Sequence, residues 1–469
     1  MDDLCFLPAT HLLNLLRDKQ LSSEELVKAH LQQIERVNPK VNAVVTLVAE
    51  QALEKARHAD SLIIKGESLS ILHGLPILHK DLQETKGIRT TYGSPIYQDF
   101  IPDYDSLLIE RLKSVGAITL GKTNTPEFGA GSQTFNEVFG ETRNPYDLTK
   151  TCGGSSGGSA AALACGMTPL ADGSDMGGSL RNPAGFCNVV GLRPSPGRVP
   201  SWPSNLGWFT LSVDGPMART VSDVALLLAA LAGPDARSPI AINEDGSKFL
   251  QPLERNFKKP NKNTRIAWVN FGLPYQSEVK ATVDAQQKVF EELGCIVEED
   301  EPDFSEADYI FKTLRAWSFA VSHEKHLLHH GNELKDTIIW NTEEGLKLSA
   351  KDIAKAEVAR TNLYHTTRAF MQRYDFMILP TVQVLPFDIK ERYISEINGV
   401  KMETYIDWMK SCYYISTIGH PALSMPCGFV DGLPVGLQIV GKHQDDLGVL
   451  QLGYAYEQAT QVWKQNPKL

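Results

Sequence analysis

The sequence lacks any apolar run long enough to cross a lipid bilayer. A spanning helix needs about 20 consecutive apolar residues, whereas the longest small-apolar stretch, at residues 160–164, is short and lies between glycines. The chain also begins without the basic and then apolar segments of a secretory signal. These absences predict a cytoplasmic protein with no membrane partner.

Cysteine and positive charge are also in short supply. The seven cysteines are scattered and include no CxxC pair, which argues against a disulfide framework and against a zinc site. Acidic residues outnumber basic ones, 56 to 46, for a formal net charge of -10. Because nucleic-acid binding depends on clustered lysine and arginine, we expect no nucleic-acid partner. The scattered cysteines likewise lead us to expect no bound metal.

Helical and strand-like patterns alternate along the first half of the chain. Residues Ser22 to Glu25 have the form of a capping box, and the helix that follows is expected to end at Asn38-Pro39. Residues 74–81 predict a short buried strand that carries Lys80 near its end. A helix over 105–115 and a strand over 117–120 come next.

This alternation predicts the α/β class, with a central mixed or largely parallel β-sheet covered by helices on both faces. Further strands are predicted at 264–269, 377–381 and 433–440. The segment 234–263 is polar and rich in proline, asparagine and aspartate, and we interpret it as an internal excursion. The 469 residues are therefore expected to form one large domain.

Two glycine-serine clusters, at 152–159 and 173–181, form the densest motif in the chain. A flexible linker is the plain alternative, but a linker would not alternate with a compact alanine-rich helix. Glycine beside serine lets the backbone approach a ligand closely, and consecutive amides can then converge on a developing oxyanion. Ser155 and Ser179 are both candidate nucleophiles on this reasoning.

Two other patterns compete with this interpretation. Residues 116–123 match the phosphate-loop pattern GxxxxGK[ST], yet a helix precedes them and their variable residues are strand-like, which is the wrong context. Residues 153–157 match GxSxG, the nucleophile elbow of α/β-hydrolases. An esterase of that type would use Ser155 or Ser156 as the nucleophile and His420 or His443 as the base. The residues before this elbow, 147–152, are a poor buried strand.

The stretch from Gly153 to Pro194 resembles the signature of the amidase signature family. Similar segments occur in the same order at 74–81, 121–128, 214–219, 419–426 and 432–438, so the resemblance covers nearly the whole chain, with a signature core at about 74–220. It implies a single amidase domain that hydrolyses a small-molecule amide without a metal or organic cofactor.

The resemblance also implies a catalytic Ser-cisSer-Lys triad. Its positions fall on Ser179 as the nucleophile, Ser155 as the bridging serine after a cis peptide bond, and Lys80 as the base. A lysine accepts protons only when neutral, so its surroundings must lower its pKa well below the ordinary value of about 10.4. Without the resemblance, a lysine paired with Asp81 at a strand end would be the favoured interpretation of Lys80.

Several supporting residues are carried over in the same way. The oxyanion hole corresponds to four consecutive backbone amides, those of Met176, Gly177, Gly178 and Ser179. Asp175 and Arg181 bracket the nucleophile and are interpreted as an orienting pair, with a surface salt bridge as the equal alternative. Substrate-binding candidates are Ala130 and Gly131, together with Trp202 and Trp208, which could wall an apolar pocket or simply pack in a loop.

The family includes free-standing amidases, fatty acid amide hydrolase among them, and the glutamine-hydrolysing subunit of tRNA-dependent amidotransferases. Residues 347–374 lack the arginine-rich, glycine-containing segment by which that subunit holds the glutamine carboxylate, and Asn188 replaces a usual glycine. These departures favour a free-standing amidase, and the nearest alternative is the glutamine-hydrolysing subunit. A homodimer is a further expectation.

Overall fold

The structure, a computed structural model, describes residues 2–67, 69–258 and 263–469, and contains 17 strands and 15 α-helices within them. The strands are β1 (Val44–Leu47), β2 (Pro76–Lys80), β3 (Ile118–Thr123), β4 (Phe135–Asn136), β5 (Gly140–Glu141), β6 (Arg143–Asn144), β7 (Asp147–Thr151), β8 (Leu170–Asp175), β9 (Val190–Arg193), β10 (Val213–Ala218), β11 (Arg265–Trp268), β12 (Ile296–Glu299), β13 (Phe376–Pro380), β14 (Glu396–Ile397), β15 (Val400–Lys401), β16 (Ala422–Val430) and β17 (Leu433–Val440). The helices are α1 (Asp2–Cys5), α2 (Ala9–Arg17), α3 (Ser23–Val41), α4 (Ala49–Lys65), α5 (Leu107–Ser114), α6 (Gly157–Ala164), α7 (Arg181–Phe186), α8 (Val221–Leu231), α9 (Ser277–Asp284), α10 (Gln287–Glu292), α11 (Ala307–His330), α12 (Asp336–Leu346), α13 (Ala350–Phe370), α14 (Lys410–Ile418) and α15 (Asp446–Thr460).

Eleven of these strands form one mixed sheet, in the order β1-β3-β2-β8-β10-β9-β16-β17-β13-β11-β12. Strands β3, β2 and β8 run parallel at one end, and β13, β11 and β12 run parallel at the other. Antiparallel pairs join the two groups through β10, β9, β16 and β17. The mixed α/β sheet predicted from the sequence is confirmed.

Helices cover both faces of this sheet because its strands are apolar on both sides. In β2, Ile77 belongs to one apolar cluster and Leu78 to another, as expected when successive side chains point to opposite faces. In β13, Ile378 and Met377 divide in the same way. The first cluster includes α8 and α15, whereas the opposite face packs on α6 at one end and on α11 and α14 at the other.

The first long helix extends beyond its predicted end. Ser22 and Glu25 form the expected capping box, but α3 continues through Pro39 to Val41. Proline removes one backbone donor and disfavours the helix interior. Here the helix continues two residues past Pro39 because Val41 is fully buried and Asn42, in the left-handed conformation, donates its backbone N–H to the Asn38 carbonyl at 2.8 Å.

The polar segment 234–263 is anchored to the core by a few apolar residues. Phe249, Leu253 and Phe257 are buried in the same cluster as α8, while residues 259–262 lie outside the described residues. The extents given for this excursion and for the 74–220 core remain predictions. Among the described helices, none combines the length and the apolar character that crossing a bilayer requires.

Candidate active site

Strand β2 brings Lys80 into the centre of the molecule. The backbone N–H of Lys80 donates to Asp172 Oδ1 on β8 at 2.9 Å, which fixes the end of the strand. The side chain is completely buried, and its Nζ donates to three hydroxyls: Ser155 Oγ at 2.7 Å, Ser156 Oγ at 3.0 Å and Ser174 Oγ at 3.0 Å. The amine is therefore surrounded by neutral acceptors.

Burial lowers the pKa of Lys80 from 10.5 to about 7, although the more distant charges of Asp214, Asp175 and Asp172 oppose the shift. The alternative pairing with Asp81 is not found, because Asp81 accepts hydrogen bonds from the backbone and hydroxyl of Thr91 instead. At neutral pH a large fraction of Lys80 is consequently uncharged and able to accept a proton.

Ser155 lies in a tightly packed loop between β7 and α6. The Gly154–Ser155 peptide bond is cis, as expected from the resemblance. Glycine is required around it: a Cβ on Gly157 would lie 2.2 Å from Thr134 Oγ1, and Gly153 has a φ of +75°. Thr134 Oγ1 in turn donates to the Gly153 carbonyl at 2.8 Å. This close packing fixes the loop in which the Ser155 hydroxyl lies beside Lys80.

Asp175 organises the loop that carries Ser179. Its carboxylate accepts the backbone N–H of Gly178 at 2.9 Å and that of Leu180 at 3.1 Å. Gly178 has a φ of +114°, and a Cβ there would lie 2.5 Å from Cys412 Cβ, so the turn depends on glycine. The loop positions Ser179 so that its carbonyl accepts the Ser156 N–H at 3.2 Å, joining the two glycine-serine clusters.

Two arginines neutralise this buried carboxylate. Arg181 contacts both Asp175 oxygens at 3.0 Å, and Arg193 Nη1 lies 3.1 Å from Oδ1. All three side chains are fully buried, so the surface salt bridge considered for Asp175 and Arg181 is wrong. Burial alone would raise the pKa of Asp175, but the two guanidinium groups hold it below its ordinary value.

Of the four backbone amides predicted to form an oxyanion hole, one already donates a hydrogen bond within the protein and three do not. The N–H of Gly178 is taken by Asp175. Within the described part of the chain, the N–H groups of Met176, Gly177 and Ser179 have no hydrogen-bond acceptor. The Ser179 hydroxyl likewise makes no hydrogen bond to a described residue. These three amides and the hydroxyl are available to a ligand.

These groups border a small cavity of about 130 Å³, here called the inner cavity. It is lined by Leu82, Phe128, Gly129, Gly131, Ser155, Ser174, Met176, Gly177, Ser179, Ser212, Phe311, Arg315, Phe319 and Met409. An outer cavity of about 360 Å³ shares Phe128, Met176, Ser212 and Phe319 with it. The outer cavity leads towards Asp214, Phe209 and the loop at 203–207.

The predicted substrate-binding residues fall in different places. Gly131 lines the inner cavity, whereas Ala130 is fully buried and is not among the lining residues. Phe209 lines the outer cavity, but of the described residues bordering either cavity none is Trp202 or Trp208. Trp208 is 77% exposed, and Trp202 packs against Tyr104 and Arg237. The assignment of substrate contacts to these residues remains a prediction.

Three further residues contact Lys80, and of these only Ser156 was a candidate from the sequence, as the alternative nucleophile of the GxSxG match. Ser156 and Ser174 contact its amine, and Asp172 holds its backbone. Ser156 and Ser174 both lie inside the two glycine-serine clusters, so their position in the motif was a usable signal. Asp172 carried no such signal, because only the pairing of β2 with β8 brings it to Lys80.

The competing patterns are found in unsuitable settings. Lys122, in the phosphate-loop match, is buried within β3 and donates to Thr85 Oγ1 at 2.8 Å. The strand before the GxSxG match, β7, pairs with β6 in a separate two-stranded sheet, and His420 is bound to the Gly441 carbonyl. Among the described residues, no cluster of three or more histidine, cysteine or acidic side chains is placed to hold a metal ion.

Comparison with known proteins finds strong similarity over almost the full length. A family model described as Amidase matches residues 25–450. A glutamyl-tRNA(Gln) amidotransferase subunit of Geobacillus thermodenitrificans is 38% identical, covering 98% of each chain. The acylamidase of Rhodococcus erythropolis is 34% identical, covering 98% of this chain and 97% of its own.

A solved structure shows the same similarity in three dimensions. A bacterial aryl acylamidase of the amidase signature enzymes superposes with a TM-score of 0.92 at 30% identity. The match covers 98% of this chain and 97% of the other.

Proposed function

Because the chain belongs to the amidase signature family and is thus an amide-hydrolysing enzyme, we propose that it cleaves a small carboxylic amide through an acyl-enzyme on Ser179. The observation that carries this proposal is the 2.7 Å hydrogen bond between Lys80 Nζ and Ser155 Oγ. It links a lysine with a pKa of about 7 to a serine that shares the inner cavity with Ser179.

In the proposed first half-reaction, Ser179 Oγ attacks the substrate carbonyl and gives its proton to Ser155 Oγ. Ser155 at the same time passes its own proton to the neutral amine of Lys80. The proton then returns along this path to the leaving nitrogen, so the C–N bond breaks and an amine or ammonia departs. Water repeats the sequence on the acyl-enzyme and releases the acid.

The negative charge that develops on the carbonyl oxygen requires hydrogen-bond donors already in place. We assign this role to the free amides of Met176, Gly177 and Ser179. The Gly178 amide, also expected there from the sequence, contributes indirectly: its bond to Asp175 holds the turn in which the other three point away from internal acceptors.

Replacing each hydroxyl tests the proposal. Ser179→Ala and Ser155→Ala are expected to lose at least roughly 1,000-fold in kcat on simple amides, since each removes a member of a unit that acts together. Ser395→Ala, at an exposed serine outside both cavities, is the matched control. Intact-protein mass spectrometry with a sulfonyl fluoride is expected to find one adduct on the wild type and none on Ser179→Ala.

A different pattern would redirect the assignment. If Ser179→Ala kept turnover and labelling while Ser155→Ala lost both, the nucleophile would be Ser155, as in the esterase alternative. If neither serine reacted and no amide were cleaved, the proposed chemistry would be wrong.

A second candidate is a glutamine-hydrolysing component of a tRNA-dependent amidotransferase, favoured by the 38% identity to an amidotransferase subunit of Geobacillus thermodenitrificans. The departures at residues 347–374 favour a free-standing amidase instead. Purified protein that is inactive on every amide, but consumes glutamine when partner subunits and charged tRNA are added, would establish the second candidate. Cytoplasmic location and a homodimer remain predictions.

A further inference from the structure

Arg315 places an uncompensated positive charge at the inner cavity. It is the one residue with a formal charge among the described residues that line this cavity, and only 5% of it is exposed. No carboxylate of the described residues lies within ion-pair distance of it, although the other arginines near the nucleophile, Arg181 and Arg193, share Asp175. Buried charges are normally paired, so an anionic group of a ligand in the cavity would be the natural partner of Arg315.

Neutral groups hold the guanidinium in place. Arg315 Nη1 donates to Asn341 Oδ1, and Nη2 donates to Tyr405 Oη at 2.7 Å. Its planar group also packs 4.3 Å from the centre of the Phe319 ring. These contacts use two of the five N–H donors of the side chain. The other three donate to no described residue, and the fork geometry of the guanidinium group suits a carboxylate.

The charge also affects titratable neighbours. Burial lowers the pKa of Lys335 to about 8; the charge of Glu127 opposes this shift, and those of Arg392 and Arg315 add to it. Burial lowers the pKa of His323 to about 3, with His326 and Arg315 contributing. The carboxylate of Glu127 accepts hydrogen bonds from the Ser94 hydroxyl and the Lys335 backbone. The charge of Arg315 therefore acts on both neighbouring groups in the same direction as burial.

We propose that Arg315 binds a carboxylate on the acyl part of the substrate, so that the preferred substrates are half-amides of short dicarboxylic acids. This inference rests on the proposed function, because it takes the scissile carbonyl to lie at Ser179. Arg315 and Ser179 border the same cavity of about 130 Å³, which limits the acyl group to a short chain between its two ends. The amine can extend into the larger outer cavity.

Two substrates of equal size separate charge from shape. Succinamate carries a carboxylate where 4-methylpentanamide carries an isopropyl group, and the two amides are otherwise alike. The wild type is expected to prefer succinamate in kcat/KM, and Arg315→Met to lose roughly 10- to 100-fold on succinamate, mainly in KM, with little change on 4-methylpentanamide. Arg315→Lys is expected to keep part of the preference.

The control variant is Arg392→Met, which removes an equal charge from an exposed position outside the inner cavity. Thermal melting checks that each variant folds. If Arg315→Met does not fold, Arg315→Lys still tests the proposal. Calorimetry adds a readout that does not depend on turnover: succinate is expected to bind the wild type and Arg392→Met, but not Arg315→Met.

Other results would contradict either the carboxylate assignment of Arg315 or the proposed amidase function, and the two cases can be told apart. If 4-methylpentanamide is cleaved without any preference for succinamate, or if Arg315→Met weakens both substrates equally, the carboxylate assignment is wrong while the amidase chemistry stands. If no amide is cleaved by any form, the proposed function fails. Succinate binding then still decides whether Arg315 recognises carboxylates, and absence of binding to the wild type refutes it.

Discussion

The rate of amide cleavage is expected to rise with pH through about 7, because the proposed base, Lys80, accepts a proton only when its amine is uncharged. Its pKa of about 7 in the folded protein is set mainly by burial, against the opposing carboxylates of Asp214, Asp175 and Asp172. The fall in rate on the acid side of neutrality, here called the acid limb, therefore follows from the burial of Lys80 at the end of β2.

The size of the effect follows from this pKa. About one tenth of Lys80 is neutral at pH 6 and about nine tenths at pH 8, so kcat/KM is expected to rise about tenfold over this interval and then level off. A lysine with the ordinary pKa of 10.5 would instead give a rate that still rises tenfold per unit at pH 9. The substrate for this assay is 4-methylpentanamide, which does not titrate in the range.

Asp214→Asn provides the matched perturbation. Asp214 is the carboxylate that most opposes the lowering of the Lys80 pKa, and it is held by Gln83 and Ser201. Removing its charge is expected to move the acid limb to lower pH. Asp99→Asn, at an exposed carboxylate, is expected to leave the profile unchanged.

Three results would refute this reasoning. A rate that is independent of pH between 5 and 9 would mean that Lys80 is not the base. A limb near 10 would mean that burial does not lower its pKa. Loss of the limb in Asp214→Asn, in place of a shift, would identify Asp214 as the titrating group.

The remaining predictions concern stability and the nucleophile loop. Asp175→Asn is expected to lower the free energy of unfolding by about 3–5 kcal/mol in urea titrations, because it leaves two buried arginines unpaired; a loss below 1 kcal/mol would contradict this. Gly178→Ala is expected to lower the free energy of unfolding by about 1–3 kcal/mol and to remove most of the activity, because φ is +114° and the new Cβ would clash with Cys412. Gly331→Ala serves as the control, because a Cβ has room at that position. The pKa of Lys80 is about 7 in the folded protein and 10.5 for a free lysine, so between these pH values the unfolded chain binds one proton more than the folded one. The free energy of unfolding of the wild type is therefore expected to rise relative to that of Lys80→Met by about 1.4 kcal/mol per pH unit from 7 to 10. Equal pH slopes for the two proteins would show that the pKa is not lowered.

Much of the fold could be predicted because local patterns and long-range packing agree. Apolar spacing and a capping box predict strand β2 and helix α3, and the structure has both. The predicted end of α3 is wrong, since the apolar contact of Val41 outweighs the local effect of Pro39. The surface alternative for Asp175 and Arg181 fails for a similar reason: nothing near them in sequence reveals that the loop lies under α14.

By itself, the sequence determined the α/β class, the order of the elements and the two glycine-serine clusters, because periodicity, capping and backbone freedom are properties of neighbouring residues. Only the tertiary structure decided which groups meet. Lys80 and Ser155 are 75 residues apart, and the lowered pKa arises from the burial that surrounds their contact. Arg315 reaches the inner cavity from α11, where no pattern indicates a functional role. Distance and burial are set by the packing of the whole chain, and these decide the chemistry of a side chain.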